Sequence, residues 1–433
     1  MKTTSKFQII VLALFIISIL AGVALFATYK GSNKDDALPS ITIWGTFPED
    51  TFTTLIQQVN ANRANSILID YVEISAQSFD KTFIEALARG QGPDAILIRQ
   101  DMLLRHFDKV TPIPFESLSL RDFKNTYIPQ AELYIVPKGT LALPFSIDPL
   151  VMYWNRDIFT NAGIATYPVY WDEFSALAKK INQKDTNSNI RRSVIALGEY
   201  SNVSHAREIL STLIFQAGNP ITRIGSDGLE STLGEGSFSG TALTTKALNF
   251  YTQFSNPALP EYSWNRSLPL SKNWFLSGSL ATYIGFASEI FDLRSKNSNL
   301  NFDVAPLPQA RQGSNRITYG SMYGLSIVRS TPNPSVVYTI LKAITSPEAL
   351  NVLNKASYLP PVRRDMLVGD STDPYQSIFY DSALISRGWF DMNISKTNGI
   401  FQNLVESVTS GRSDVYSAIQ TAHQELNIEL SNP

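Results

Sequence analysis

The stretch Gly92-Pro-Asp-Ala-Ile-Leu-Ile-Arg-Gln-Asp101 decides the fold. Its centre, Ala95 to Ile98, is an unbroken apolar run, as is typical of a strand buried on both faces of a sheet. Upstream, residues 83–88 have helical character and are followed by Gly90, a residue type that commonly ends helices. The stretch therefore predicts a helix and then a central strand, with polar side chains directly after the strand.

The chain before this stretch repeats the same alternation. Residues 41–45 (Ile-Thr-Ile-Trp-Gly) predict a first strand, residues 51–64 a helix with apolar spacing, and residues 66–74 a second strand. Strands that alternate with helices form a parallel sheet covered on both faces. Ligands bind outside the carboxyl ends of such strands, so we expect the segments Thr46-Phe47 and Gln100-Asp101 to share one rim.

The N-terminus predicts a membrane segment. Residues 7–27 are apolar except for Gln8 and Ser18, and Lys2 and Lys6 precede them. At 1.5 Å per residue this run spans about 31 Å, enough for the hydrocarbon core of a bilayer. We therefore expect a cytoplasmic n-region (1–6), a transmembrane anchor (7–27) and a polar tether (28–40). A cleaved signal peptide is the alternative interpretation of the same run.

Composition excludes several classes of protein. The 36 basic and 38 acidic residues nearly cancel, which argues against a nucleic-acid partner. The absence of cysteine excludes disulfides, thiolate metal sites and the acylated cysteine of a lipoprotein. Only three histidines occur, and they are far apart in sequence, so we expect no histidine-based metal or catalytic site.

Motifs for catalysis are also missing. The sequence contains no P-loop, no GxGxxG and no HExxH pattern, and we expect no cofactor and no catalytic residue. Paired carboxylates could still support glycoside hydrolysis, and Asp101 and Asp148 are the acids expected at the rim. Residues 185–189 begin like a calcium loop but lack its later glycine and glutamate, so an ordinary polar turn is the main interpretation.

Five segments resemble, in order, the family 1 extracellular solute-binding proteins, the maltose-binding-protein-like group. Each segment is a weak match alone, but together they extend across about nine tenths of the chain. They are Ile41-Thr-Ile-Trp-Gly-Thr46, Phe83 to Leu97 with its Gly92-Pro93-Asp94 centre, Leu143 to Phe174 with Pro168-Val-Tyr-Trp-Asp-Glu-Phe174, Phe275 to Gly285, and Thr345 to Asp365 with its Leu359-Pro360-Pro361 motif.

The resemblance implies an α/β fold with two lobes, the type II periplasmic-binding-protein clamshell. Each lobe is expected to hold a mostly parallel sheet flanked by helices. The chain is expected to cross between the lobes three times, near Pro144–Asp148, Tyr319–Ser321 and Gly369–Tyr375. The expected lobe 1 comprises residues 40–145 and 321–370, and lobe 2 comprises residues 146–320 and 371–433. The ligand is expected in the cleft between them, with the lobes closing over it.

The resemblance also implies a set of ligand-binding residues. They follow the first and third strands, line the hinge crossings and border the second lobe. Ala287 and Ser288 stand where the sugar-binding pattern has a tryptophan. The expected ligand residues are Trp44, Thr46, Phe47, Gln100, Asp101, Phe145, Asp148, Glu199, Tyr200, Gly285, Phe286, Tyr319, Ser321, Tyr323 and Trp389.

The function implied by the resemblance is the capture of a small polar solute outside the cytoplasm and its delivery to the permease subunits of an ABC importer. A sugar or oligosaccharide is the first expectation, because rings and planar polar groups suit sugar faces and hydroxyls. Two alternatives stay open: a polyamine or other cation bound by acids of the cleft, and a membrane-anchored enzyme acting on glycosides. We expect a monomer.

Overall fold

The computed structural model describes residues 40–61, 68–225, 228–234, 238–311, 316–367 and 373–431. The predicted n-region, the apolar run 7–27 and the tether up to residue 39 lie outside the described residues, as does most of the third expected crossing. Within the described ranges, no helix has both the length and the apolarity needed to cross a membrane.

The first three strands form the predicted parallel arrangement. Strand β1 (Ser40–Gly45) pairs in parallel with β2 (Leu68–Glu73) on one side and with β3 (Ala95–Arg99) on the other. Four of the five residues of β3 are buried, as its unbroken apolar run predicts. The carboxyl ends of β1 and β3 therefore lie side by side.

Two long antiparallel strands join this region to the rest of the molecule. Strand β7 (Leu143–Asn155) pairs with β14 (Thr318–Val328), and β14 pairs with β3 in the antiparallel sense. Pro144 has no N–H for the ladder, and the register between β7 and β14 shifts at this point. Because the two strands run in opposite directions between the lobes, they make the sheet mixed.

The remaining strands extend the same sheet, whose path runs β2-β1-β3-β14-β7-β12-β9-β8. Among the described pairings of the second lobe, β12–β9 and β14–β15 are parallel, whereas β12–β7, β13–β7, β8–β9 and β10–β11 are antiparallel, so the expectation of a mostly parallel sheet in each lobe is wrong for the second lobe. These strands are β4 (Val110–Thr111), β5 (Ile135–Val136), β6 (Gly139–Thr140), β8 (Gln183–Lys184), β9 (Ile190–Ile195), β10 (Thr222–Ile224), β11 (Leu229–Ser231), β12 (Leu280–Phe286), β13 (Phe302–Ala305) and β15 (Ser386–Arg387).

Helices cover the sheet, and several begin with the expected caps. Ser119, Asn155, Ser346, Asp373 and Asn393 each accept a hydrogen bond from a backbone N–H of the first turn. The helices are α1 (Glu49–Ala61), α2 (Phe79–Ala88), α3 (Gln100–Leu103), α4 (Leu120–Thr126), α5 (Arg156–Asn161), α6 (Phe174–Ile181), α7 (Ala206–Ala217), α8 (Phe238–Thr252), α9 (Ser271–Leu276), α10 (Ile290–Lys296), α11 (Pro334–Ile344), α12 (Pro347–Ser357), α13 (Pro374–Leu384), α14 (Ile394–Thr409) and α15 (Val415–Ser431).

Two hydrophobic clusters organise the molecule. One contains side chains from Ile41 to Ile147 and returns with β14, α11 and α12. The other begins at Leu150 and includes helices α7, α8, α14 and α15. We call the elements around the first cluster lobe 1 and those around the second lobe 2. The exact boundaries expected from the sequence stay a prediction.

Candidate functional site

The ends of β1 and β3 form the rim of lobe 1. The backbone N–H of Thr46 donates to the carbonyl of Leu97 at 3.1 Å, which joins the loop after β1 to β3. Gln100 and Asp101 begin the short helix α3 directly after β3. The segments Thr46-Phe47 and Gln100-Asp101 therefore share one edge of the sheet, as the strand pattern predicts.

Arg99 and Asp101 form a two-bond ion pair at this rim. Arg99 Nε donates to Asp101 Oδ1 at 3.1 Å and Nη2 donates to Oδ2 at 2.8 Å. The Asp101 side chain is buried, whereas the Arg99 side chain is 33% exposed. A bidentate pair holds both planar groups in fixed orientation. The pair presents a rigid, charge-compensated hydrogen-bonding surface, and the sequence reasoning did not include Arg99.

Gln100 joins the rim of lobe 1 to β14, one of the two strands that cross between the lobes. Its Nε2 donates to the carbonyl of Gly320 at 3.1 Å, and Gln130 Nε2 donates to the same carbonyl at 2.6 Å. Both glutamines are almost fully buried. These bonds join the start of α3 and the 3₁₀ segment Pro129–Tyr134 to β14, and so they hold the rim of lobe 1 against the strand that crosses between the lobes.

The predicted aromatic residues of lobe 1 pack mainly against each other. Phe47 contacts Phe145 and Tyr323 edge-to-face, with ring centroids 5.4 and 5.2 Å apart. Phe47 and Phe145 are buried core residues, whereas Trp44 and Tyr323 are partly exposed. The structure therefore gives two of the four rings a packing role and leaves Trp44 and Tyr323 with accessible surface.

Asp148 lies at the first crossing between the lobes. It pairs with Ser321 across β7 and β14, and the Ser288 N–H of lobe 2 donates to Asp148 Oδ1 at 3.1 Å. Burial raises the pKa of Asp148 to about 7, although hydrogen bonds from Ser288 act in the opposite direction. Asp148 and Ser321 are thus held together at the hinge, and the acid titrates near neutral pH.

His205, Glu289 and Lys272 form a polar group at the edge of lobe 2. His205 Nε2 lies 2.7 Å from Glu289 Oε1, and Lys272 Nζ lies 2.6 Å from Glu289 Oε2. Burial opposes the charge of Glu289, but hydrogen bonds from His205 and Lys272 lower its pKa to about 2. The backbone of His205 is left-handed, with φ of 59°, an uncommon conformation for this residue type.

The predicted residues Gly285 and Phe286 adjoin this group. A Cβ on Gly285 would lie 2.7 Å from Glu289 Oε1, so only glycine fits beside the acid. The Phe286 ring lies edge-on to His205, with centroids 4.8 Å apart, and contacts Tyr319 at 6.4 Å. Phe286 therefore connects the polar group to the second crossing between the lobes.

A buried ion cluster forms at the start of α7. Arg207 Nη2 lies 2.8 Å from Glu208 Oε1, and its Nη1 lies 2.7 Å from Asp391 Oδ2. Burial opposes the charge of Arg207, but Glu208 and Asp391 raise its pKa. Asp101 of lobe 1 also contributes to this rise, which places the rim of lobe 1 within electrostatic reach of the cluster.

Tyr319 lies between the two charged regions. Its backbone N–H donates to Thr212 Oγ1 at 3.1 Å, which anchors β14 to α7. Burial raises the pKa of its hydroxyl, and charges from both lobes act on it, including Arg207 and Asp101. The structure thus brings Tyr319, the rim of lobe 1 and the Arg207 cluster into one neighbourhood.

The remaining predicted residues differ in their surroundings. Trp389 is buried, donates from Nε1 to Ser211 Oγ at 3.2 Å, and has Arg207 5.9 Å from its ring centroid. Tyr200 is partly exposed and donates to Asn398 Oδ1 at 3.1 Å. Glu199 pairs with Arg266 at 3.2 Å. Trp389 therefore borders the ion cluster, whereas Glu199 already has a cationic partner of its own.

One signal in the sequence could have pointed to Arg207. Ten of the twelve residues of α7 are buried, and Arg207 is its second residue. A cation in the first turn is unfavourable toward the helix dipole. An arginine at this position in an apolar helix needs buried acids nearby, although the sequence does not show that Asp391 is one of them.

The described residues contain no group of three or more histidine, cysteine or acidic side chains arranged to hold a metal. In the loop expected as an alternative calcium site, Asp185 Oδ1 accepts backbone N–H bonds from Asn187 and Asn189, both at 2.9 Å. Asp185 Oδ2 accepts a bond from Arg191 Nη2 at 2.8 Å. This pattern is that of a polar turn.

Two lobes joined by long antiparallel strands meet at compensated polar groups and partly accessible rings, an arrangement typical of proteins that bind a solute between two lobes. A comparison with protein families agrees. Residues 56–377 match the bacterial extracellular solute-binding protein family, and the chain belongs to it.

Solved structures show the same fold. The chain is similar to a cyclo/maltodextrin-binding protein complexed with maltotetraose (TM-score 0.71, 16% identity, 91% of this chain and 97% of the other). It is also similar to a cyclic alpha-maltosyl-1,6-maltose binding protein from Arthrobacter globiformis (TM-score 0.74, 14% identity, 91% and 100%). A mannobiose-bound protein, CpMnBP1, gives a TM-score of 0.65 at 19% identity (89% and 99%).

A curated relative is a binding protein of Brucella abortus (strain 2308), 22% identical over 265 residues. The match spans 59% of this chain and 59% of the length of that relative. Identities this low define the fold of the chain and leave its ligand to be argued from its own residues.

Proposed function

We propose that the protein captures a neutral polyhydroxy solute, a sugar or oligosaccharide, between its lobes and delivers it to an ABC importer. The observation that carries the proposal is the neighbourhood of the Arg99–Asp101 pair, the Arg207 cluster and Tyr319. Planar groups that are already charge-compensated can bind hydroxyls without needing a charged ligand. Aromatic rings beside them suit the apolar faces of sugar rings.

The pairing of the acids favours a neutral solute over a polyamine. Asp101 is bound by Arg99 and Glu199 by Arg266, so neither offers a free negative charge. The raised pKa of Asp148 reduces its charge near neutral pH. The ligands named for the similar structures, maltotetraose and mannobiose among them, also support a sugar.

We further propose that the solute leaves unaltered, as expected for a binding protein, and that residues 7–27 anchor the protein to the membrane. The family of the chain is extracellular, which supports a position outside the cytoplasm. Delivery to permease subunits and hinge closure on ligand complete the proposal. Small-angle scattering should show a smaller radius of gyration with saturating ligand.

Isothermal titration calorimetry tests the ligand class directly. We expect binding of at least one of maltotetraose, mannobiose or tagatose, and none of spermidine. Asp101→Asn should weaken sugar binding about tenfold or more, because a charged hydrogen-bonding partner is lost. Asp108→Asn is the matched control: this acid of lobe 1 is exposed and paired with Lys109. Binding of spermidine without any sugar would overturn the proposal.

A further inference from the structure

A cavity lies between the lobes, and one of its lining residues, Gln130, donates to Gln100 Oε1 of the lobe 1 rim at 2.6 Å. The cavity has a volume of about 720 Å³ and is bordered by the 3₁₀ segment Pro129–Tyr134 of lobe 1, the end of α7 and residues 387–390. This volume is within the range of small-molecule sites, roughly 300–1,000 Å³. The predicted ligand residues described above, apart from Trp389, are not among its lining residues.

The walls of this cavity are mainly apolar. Leu133 and Ile135 contribute from lobe 1, and Phe215, Ile224 and Phe390 contribute from the other side. Ile224 is 67% exposed, although it lines a concave surface. Such walls favour an apolar ligand body by removing it from water.

Arg387 is the polar group that distinguishes the cavity. Its side chain is partly buried, and its one described hydrogen bond runs from Nη1 to the carbonyl of Ser386 at 2.8 Å. Among the described residues, no carboxylate lies within ion-pair distance of Arg387. A partly buried guanidinium without an anion has most of its donors available for a planar acceptor.

The other charged residues of the lining are already paired. Glu132 accepts a bond from Lys124 at 2.8 Å, and Arg223 pairs with Glu230 at 2.6 Å. Glu132 is therefore bound to Lys124, although its charge also acts on Arg387 from beyond ion-pair distance. The end of α7 carries the negative end of the helix dipole, which disfavours an anion there, so a carboxylate should bind at Arg387 and not beside α7.

We propose that this cavity binds a small amphiphilic carboxylate, with the carboxylate on Arg387 and the apolar body against Phe215 and Ile224. Arginine binds a carboxylate through two parallel hydrogen bonds, and the apolar walls would cover a medium-length hydrocarbon chain. Trp389 lines this cavity and also borders the Arg207 cluster, so the two proposed sites adjoin, but Arg387, Phe215 and Ile224 are not among the residues proposed for the sugar.

Octanoate is the probe, and octanamide is its uncharged counterpart. Calorimetry on the wild type should show millimolar or tighter binding of octanoate and much weaker binding of octanamide. Arg387→Gln should weaken octanoate binding about tenfold or more. Arg223→Gln is the matched control, because it removes a lining arginine that already has a partner, and binding should stay unchanged.

Leu133→Trp provides a test that does not depend on Arg387. The larger ring should occupy part of the apolar wall and weaken octanoate binding, while thermal unfolding confirms that the variant is folded. Equal binding of octanoate and octanamide, no binding of octanoate at millimolar concentration, or unchanged binding in both Arg387→Gln and Leu133→Trp would each overturn the proposal. Sugar titrations of the same variants separate this result from the test of the proposed function.

Discussion

The two lobes position their polar groups by different means. In lobe 1 the rim rests on buried rings, with Phe47 packed against Phe145 and Tyr323, and has one surface-accessible ion pair. In lobe 2 the equivalent groups are held by buried charges, with Arg207 bound to Glu208 and Asp391. The difference teaches that lobe 1 should be sensitive to lost volume and lobe 2 to lost charge.

The largest expected effect is at Arg207. Arg207→Met should lower the free energy of unfolding by about 3–5 kcal/mol, because it leaves Glu208 and Asp391 buried without their cation. Arg99→Met, its counterpart in lobe 1, should cost less, about 1–2 kcal/mol, because one buried acid, Asp101, loses its cation and Arg99 itself is partly exposed. Urea unfolding at neutral pH measures both. Equal costs for the two variants would contradict the contrast between the lobes.

A comparable loss is expected from the core of lobe 1. Phe47→Ala should lower the free energy of unfolding by about 3–5 kcal/mol, because a fully packed ring is removed. Phe286→Ala in lobe 2 should lower the free energy of unfolding by less than Phe47→Ala does, and it should weaken solute binding by more. The reason is that Phe286 is partly exposed beside His205. A Phe47→Ala protein of unchanged stability that no longer binds solute would instead support Phe47 as a ligand residue.

The sequence predicted the rim of lobe 1 because strand order alone places it. The apolar run 95–98 and the residues after it are close in sequence, so the end of β3 was identifiable from one short segment. The lobe 2 clusters could not be found in this way. Arg207 and Asp391 are 184 residues apart, and His205 and Glu289 are 84 apart. Their pairing depends on packing that no local pattern encodes.

The sequence also does not reveal whether neighbouring strands run parallel or antiparallel. Strand β7 (Leu143–Asn155) is buried along almost its whole length, but parallel and antiparallel partners bury a strand equally well. The resemblance to a known family supplied the crossings between the lobes, whereas the mixed sheet follows from the opposite directions of β7 and β14. The aromatic residues show the same limit, since spacing did not separate buried Phe145 from accessible Trp44.

A change of pH should have a smaller effect on the free energy of unfolding. The effect of Asp148, at the hinge, is opposite in sign to that of Glu289, in lobe 2. Folded Asp148 keeps its proton up to about pH 7, whereas the unfolded chain releases it near 3.8, so stability falls as pH rises through this window. Glu289, with a pKa lowered to about 2, contributes stability that is lost as pH falls below its ordinary value of 4.5.

Asp148→Asn should remove the fall in stability that Asp148 causes as the pH rises toward 7. Relative to the wild type, the variant should gain roughly 1–3 kcal/mol of stability between about pH 4 and pH 7, less than the whole shift implies because Asp148 is only partly buried. Urea unfolding at several pH values measures the difference. Glu289→Gln is the control, and its loss of stability should shrink at acidic pH. Parallel pH profiles for wild type and Asp148→Asn would contradict the burial argument.

The smallest expected effects separate a buried network from an ordinary surface pair. Lys272 bridges Glu289 and Asp292 at 2.6 and 2.8 Å with only 20% of its side chain exposed, whereas Arg89 and Glu85 lie 3.6 Å apart and are largely exposed. Arg89→Gln should therefore cost at most about 0.5 kcal/mol and lose even that in high salt.

Lys272→Met should cost about 1–2 kcal/mol, because among the described residues Glu289 keeps only His205 as a cationic partner, beside its hydrogen bonds from Tyr283 and Phe286, and salt screens a partly buried group less. Urea unfolding at low and high salt measures both variants. If the two costs were equal and vanished together in salt, Lys272 would behave as a surface charge. Arg207 would then be the one buried cation among those tested whose loss lowers the stability of lobe 2. The difference between the lobes, packed rings in lobe 1 and buried charges in lobe 2, would rest on that residue.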